Sequence, residues 1–386
     1  MVEKNQTLFS LEKRSNLVGW LFLFSLFSFV SVFLRQDLFG DDSYAAWLCI
    51  SHGQCDWLGF QPLAVFLYQV LPNNLFLFQV IMFGCFFASI IALFLVCEHF
   101  FDKKIAFYAT LLLTALSPLM LFEFGKFENE IFAYPLLFFG FYFFLQKDWL
   151  KGFLFFVLAS WFWAGSLYFV VALCFGYWFL IPFVFVSVFL FWDKGLSFLV
   201  PTLVLESRFL GGFLGLFGLI FVVPFFFCKR FKRFWFCFVL LLGLVAFQGK
   251  LVMLLMPFLV LSIGQLLVFI QQKQYDIKNV LVIVFIFIIC WNIVFLQLQP
   301  TNNDWKIVNK AVEIQKDTNF VIHNDFGFGY WLLFANGNTK WYGGFPNPDY
   351  NNLQKPFIAV TQEELNCPKI DSYETWAKKA NLFICK

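Results

Sequence analysis

The chain has 386 residues, of which 61% are apolar types, 23% aromatic and only 13% charged, with 63 phenylalanines and a net charge of +3. So few charges cannot cover the surface of a water-soluble chain of this size, and the apolar residues fall in long uncharged runs of the kind that cross a bilayer. A disulfide-rich miniprotein, an intrinsically disordered chain and a nucleic-acid binder are thereby excluded, and the small, scattered net charge points to no polyanion partner.

In chain order the apolar runs lie at about 16–34, 75–98, 104–122, 130–146, 152–171, 173–192, 196–206, 209–228, 234–248, 251–271 and 279–298. A helix needs about 20 residues to cross ~30 Å of hydrocarbon, and 196–206 is too short. The expected fold is therefore an all-α polytopic membrane protein with nine to eleven transmembrane helices over residues 1–298. The first run reads as a retained anchor, not a cleaved signal. Loop charges set the orientation. With the N-terminus cytoplasmic, the inner loops hold fourteen basic residues, among them Lys103, Lys104, Lys147, Lys151 and the run Lys229-Arg230-Phe231-Lys232-Arg233. The short outer loops hold four: Arg35, Lys126, Arg208 and Lys250. That asymmetry follows the positive-inside rule and is expected of a plasma-membrane protein whose C-terminal part lies outside.

Residues 299–386 are a different kind of sequence, balanced in charge. They are expected to form a small extracytoplasmic α/β domain. Its predicted elements are a helix at 304–316, a strand at 319–323, a short helix around 329–335, strands at 339–343 and 357–361, a helix at 372–380 and a last strand at 381–385. Cys85, Cys97, Cys174, Cys228, Cys237 and Cys290 read as small buried hydrophobes. Cys49 with Cys55, and Cys367 with Cys385, are the pairs open to a disulfide in an oxidising compartment.

The outer loop at 35–74 is the long one, and long loops in compact proteins are usually functional. It carries Asp41 and Asp42 close to the bilayer surface, then a stretch opened by Pro62 and closed by Pro72. Carboxylates at the edge of hydrocarbon are costly unless they face water, a cation or a polar cavity, and such a place favours a base of useful strength. Neighbouring helical residues point about 100° apart, so one of the pair is the candidate general base and the other a structural or cation-binding partner. Capping of the following helix is the alternative for both. A second acidic cluster, Glu123, Glu128 and Glu130, is expected at the same membrane face. Two facing clusters suit a sugar acceptor or a divalent cation (Mg or Mn), although no ligand set demands a metal. Lys250, Arg208 and Arg35 share that level, as phosphate ligands or as snorkelling side chains.

Three segments carry a family resemblance. GDDSYAAWLCISHGQ…GFQPLAVFLYQVLP after one span, SPLMLFEFGKFENEIFAYPLLFFGFYFF, and QGKLVMLLMPFLVL together resemble the GT-C membrane glycosyltransferases, in particular the protein O-mannosyltransferase-like and lipid A aminoarabinose transferase-like families. The resemblance implies an inverting enzyme that moves a sugar from a polyprenyl-phosphate donor to an acceptor hydroxyl on a lipid, glycan or protein at the extracytoplasmic face. It implies Asp41 or Asp42 as the base, Glu130 (or Glu128) as the second acidic site, Tyr44 on the helix that follows the first motif, and Lys250 at the donor phosphate; Arg208 and Arg35 join Lys250 there by their level at the outer face and not by the resemblance. Lys250-Leu251 departs from the clan, which more often has Arg-Tyr there. The stretch HNDFGFGYW at 323–331 is similar to the WWDxG motif of oligosaccharyltransferases but lacks the leading Trp pair, and its glycines read first as a turn. An oligosaccharyltransferase-like enzyme and a transporter or flippase for a lipid-linked glycan are the rival functions. The second is disfavoured by the lack of an internal repeat.

Overall fold

The computed structural model describes residues 16–26, 49–50, 62–72, 74–116, 124, 127–163, 165–174, 177, 180–181, 223–247, 249–272, 302–325, 332, 349–374 and 379–386. Asp41, Asp42, Tyr44, Glu123, Arg35 and Arg208 lie outside them, as do the predicted spans 196–206 and 279–298 and the predicted strand 339–343. The chain is mostly helical with a small C-terminal sheet, and it falls into two compact units. Among the described residues the first unit takes 16–272 and the second 302–386.

The first unit is a helical bundle. Its helices are α1 (Asn16–Leu26), α2 (Pro62–Val70), α3 (Leu75–Glu98), α4 (Lys103–Leu116), α5 (Glu130–Leu145), α6 (Trp149–Phe162), α7 (Ser166–Cys174), α8 (Trp235–Phe247) and α9 (Met256–Gln272). Two stretches among the described residues, Phe76–Glu98 and Leu251–Gln272, are long and apolar enough to cross a membrane; Asn16–Leu26, Glu130–Leu145 and Trp149–Phe162 are shorter apolar helices. In α3, α5 and α8 the apolar residues run all round the helix, which suits an apolar solvent or a deep core and not a water-facing surface. Trp20, Phe66, Phe76, Leu150 and Phe227 are all more than 60% exposed.

Local signals set the helix ends. Asn74 caps α3 by accepting from the Leu77 amide at 3.2 Å, and Asp102 caps α4 by accepting from the Lys104 and Ile105 amides at 2.9 and 3.0 Å. The segment before α9, Gly249–Leu255, is a 3₁₀ helix that runs straight into α9, and the change of helix type falls beside Pro257, which supplies no N–H to the preceding carbonyls.

The predicted continuous span 152–171 is broken. α6 stops at Phe162, Trp163 turns extended (φ −150°, ψ 115°), and α7 restarts at Ser166. A Cβ on Gly165 would sit 2.3 Å from the Trp163 indole, so the folded-back ring requires glycine there. Apolar residues on both sides of Trp163-Ala164-Gly165 conceal this break in the sequence.

Three loops remote in sequence meet at one end of the bundle. Gln146 Nε2 lies 3.3 Å from His99 Nδ1, and Arg230 donates to the Phe100 carbonyl at 3.2 Å. Phe231 sits edge-on to Phe100, with centroids 5.2 Å apart. These are the loops read above as cytoplasmic. α5 runs from Glu130 to this end, and its sixteen residues give it a length of about 24 Å. Glu130 therefore stands at the opposite end from the basic loops. α8 also leaves the basic end, and the 3₁₀ segment that packs back along it places the Lys250 backbone at the far end too.

The second unit has one helix, α10 (Asn302–Thr318), and four strands, β1 (Val321–Asn324), β2 (Phe357–Thr361), β3 (Lys369–Glu374) and β4 (Lys379–Cys385), in the order β1-β2-β4-β3. β1 and β2 are parallel; β4 is antiparallel to both its neighbours. Ile307, Val308, Ala311 and Val312 of α10 pack against Ile322, Ile358, Val360, Ala380 and Leu382. All five residues of β2 are buried, since both faces of this strand are covered. Of the predicted helix at 372–380, the described residues 372–374 and 379–380 are strand instead, in the antiparallel pair β3–β4. Lys310 of α10 holds Asp371 at 2.8 Å, and a disulfide joins Cys367 to Cys385 across its base. These tertiary ties outweigh the helical propensity of the Ala-Lys-Lys-Ala stretch. Cys49 is disulfide-bonded as well, whereas Cys85, Cys97, Cys174, Cys228 and Cys237 are free thiols within the apolar bundle.

Candidate functional site

The far end of the bundle holds a buried polar cluster in an aromatic shell. Glu128 is 2% exposed and Glu130 8%. Glu130 is the first residue of α5, where the helix dipole favours a negative charge. Asn129, between them, occupies the cap position without making a side-chain capping bond, and its Oδ1 has no hydrogen-bond partner among the described residues. Such a buried acceptor is costly.

The third member is Tyr68, which sequence reasoning passed over. It is fully buried on α2, the helix opened by Pro62. Its ring packs on Phe127 (5.7 Å between centroids) and Phe132 (6.2 Å), and Phe78 stacks on Phe127 at 4.5 Å. Burial, then the neighbouring charges of Glu130 and Glu128, push the Tyr68 hydroxyl well above the ordinary tyrosine range. It is therefore a neutral O–H, able to donate or to accept. Among the described residues its Oη has no hydrogen-bond partner. Ala64 and Tyr68, four residues apart, are the two buried positions of α2 and share its inward face, a placement that the nearly uniform apolar sequence PLAVFLYQV does not signal.

The structure thus brings an element of the first long loop (α2) together with the second acidic cluster (Glu128, Glu130). Among the described residues no three His, Cys, Asp or Glu side chains form a metal-binding group. Lys250 is placed by its backbone at the same end of the bundle as Glu130.

In the second unit, Asp325 of the 323–331 motif is 2% exposed. Oδ1 accepts from the Tyr350 hydroxyl at 2.7 Å, and Oδ2 accepts from the Thr361 hydroxyl at 2.7 Å and the Gln362 amide at 2.6 Å. Its carboxylate is thus taken up by donors of its own unit.

Neither a protein-family model nor a curated protein sequence matches the chain.

Proposed function

We propose that this protein is a polytopic membrane glycosyltransferase of the GT-C type, taking a sugar from a polyprenyl-phosphate donor at the extracytoplasmic face. The observation that supports this reading most is the meeting of Tyr68 with Glu128 and Glu130, buried, at the end of the bundle opposite the basic loops. Polar groups held in an apolar shell beside a membrane surface suit surface chemistry on a lipid-linked substrate. The disulfide of the C-terminal unit and the bonded Cys49, against free thiols in the bundle, support an oxidising compartment for the C-terminal domain and the first loop.

In this reading the acceptor hydroxyl attacks the anomeric carbon, the bond from that carbon to the phosphate oxygen breaks, and the stereochemistry inverts. Asp41 or Asp42 takes the hydroxyl proton, the part that the family resemblance gives to them. Glu128 and Glu130 orient the acceptor, and Tyr68 donates to it. Lys250, with Arg208 and Arg35, neutralises the departing phosphate, which makes it a good leaving group. The test is incubation of the purified full chain with labelled polyprenyl-phosphate sugars and mixed acceptors. Release of lipid phosphate with labelled product supports the reading; no turnover of any donor, in a chain verified as folded in membrane, removes it.

A further inference from the structure

The segment Lys229–Phe234, KRFKRF, is two copies of one tripeptide, and it folds as a 3₁₀ helix. A 3₁₀ helix has three residues per turn, so residues i and i+3 eclipse. Repeat and helix therefore match. Phe231 and Phe234 form one row and are buried. Lys229 with Lys232, and Arg230 with Arg233, form the other two rows, and all four are exposed. Stacking like charges in register is mildly unfavourable, and an anion beside them relieves it; within the protein Arg230 donates to the Phe100 carbonyl and Lys232 lies over the Trp235 ring, neither of which neutralises the charge. The fold adds to this charge. The described loops at 98–104, 146–151 and 229–235 meet at this end and hold eight basic residues against Glu98, Asp102 and Asp148. Of the acids, Asp148 is paired with Lys151 at 2.6 Å and Asp102 caps α4.

The surface beside these cations is apolar. Phe227 is 78% exposed, Leu150 71%, Phe236 56% and Trp149 42%. Tyr177 ties the parts together: its ring packs on Phe144 at 4.6 Å and on Phe234 at 5.8 Å, and Phe144 packs on Trp149 at 4.9 Å. If this flank faces lipid chains, as the bundle's apolar surface suits, the anions nearest the cations are the headgroups of the same leaflet. A lipid satisfies both, with its headgroup on the basic rows and its chains along the apolar flank.

We propose that the KRFKRF helix, with the 98–104 and 146–151 loops, is a binding surface for anionic phospholipid headgroups of the leaflet at the basic end of the bundle. This surface is independent of the proposed glycosyl transfer and lies at the opposite end from its site.

The experiment uses the full chain, purified in a neutral detergent and delipidated. It is titrated with phosphatidylglycerol or with phosphatidylcholine of the same acyl chains, and retained lipid is counted by native mass spectrometry. Phosphatidylglycerol is expected to be retained at least about fivefold over phosphatidylcholine, and the preference to shrink as salt rises. The variant K229Q/R230Q/K232Q/R233Q, with its thermal unfolding followed in parallel, is expected to bring the preference to near parity. The control K306Q/K316Q in the C-terminal unit is expected to keep it. Parity in the unaltered chain, an undiminished preference in the quadruple variant, or displacement of phosphatidylglycerol by equimolar inorganic phosphate would each overturn the proposal. If the quadruple variant does not fold, loss of the preference at high salt in the unaltered chain decides in its favour, and persistence decides against it.

Discussion

The hydroxyl of Tyr350 donates a 2.7 Å hydrogen bond to Oδ1 of Asp325, and burial with that carboxylate drives the phenol far above its ordinary range. The same carboxylate receives Thr361 and Gln362 from the end of β2, so one side chain closes the C-terminal ends of the parallel pair β1–β2 and the turn at Tyr350. Asp325→Ala leaves three buried or half-buried donors without their acceptor. The expected cost is about 3–5 kcal/mol. Hydrogen exchange on the full chain checks it: protection of Phe357–Thr361 should collapse while that of the bundle helices persists.

Tyr68 separates a structural from a catalytic role. Removing a buried hydroxyl that has no partner among the described residues should leave stability unchanged or slightly raised. If the hydroxyl serves the acceptor, Tyr68→Phe lowers kcat/KM for sugar transfer by about tenfold or more at unchanged Tm. Unchanged transfer removes Tyr68 from the site.

The carboxylates are tested as isosteric amides. Glu130→Gln and Glu128→Gln should each reduce transfer by about a hundredfold, and Asp41→Asn or Asp42→Asn should abolish it for whichever is the base. Each protein should still extract from membranes as a folded chain. Full activity in both aspartate variants takes the base assignment away from the first loop.

The α5–α6 contact depends on glycine. A Cβ on Gly152 would stand 3.2 Å from the Gly140 carbonyl oxygen and from the Phe144 amide nitrogen, and one on Gly140 would stand 2.8 Å from the Phe156 ring. Small residues at such a crossing let two apolar helices approach closely. Gly152→Val should destabilise the bundle by about 1–3 kcal/mol, read by unfolding in detergent.

Acid should loosen the second unit. A hydrogen bond from Lys310 holds Asp371 below the ordinary aspartate value, and hydrogen bonds from Lys369 and then Lys379 hold Glu364 below that of glutamate. The unfolded chain takes up these protons first. Their contribution is therefore present above about pH 4.3 and is lost as pH falls through the lowered folded values. Both carboxylates are at least partly exposed, so the effect is small. An Asp371→Asn, Glu364→Gln variant should show a flatter profile of Tm against pH between 7 and 3.

Elements whose pattern is self-contained were legible in the sequence. The runs 75–98 and 130–146 nearly coincide with α3 and α5, and strand 357–361 coincides with β2, because uninterrupted apolar or β-branched runs bounded by polar residues leave one choice. What depends on distant partners was not legible. The break at Trp163 comes from an indole folded over Gly165, and the β3–β4 pair from Lys310 and a disulfide. In the candidate site the carboxylates stood out by residue type in an apolar context. Tyr68 did not, since a tyrosine in an apolar helix reads as core; only its neighbours Glu128 and Glu130 give its hydroxyl a chemical setting.

The strand order has a consequence for biogenesis. β4 lies between β2 and β3, yet it is the last of the four to be synthesised. No part of that sheet beyond the β1–β2 pair can assemble until residue 385 has left the ribosome. Until then β2, apolar on both faces, waits with one edge open to foreign strands. A stalled or nicked product ending near residue 370 should accordingly keep that edge open and be a substrate for quality-control proteolysis.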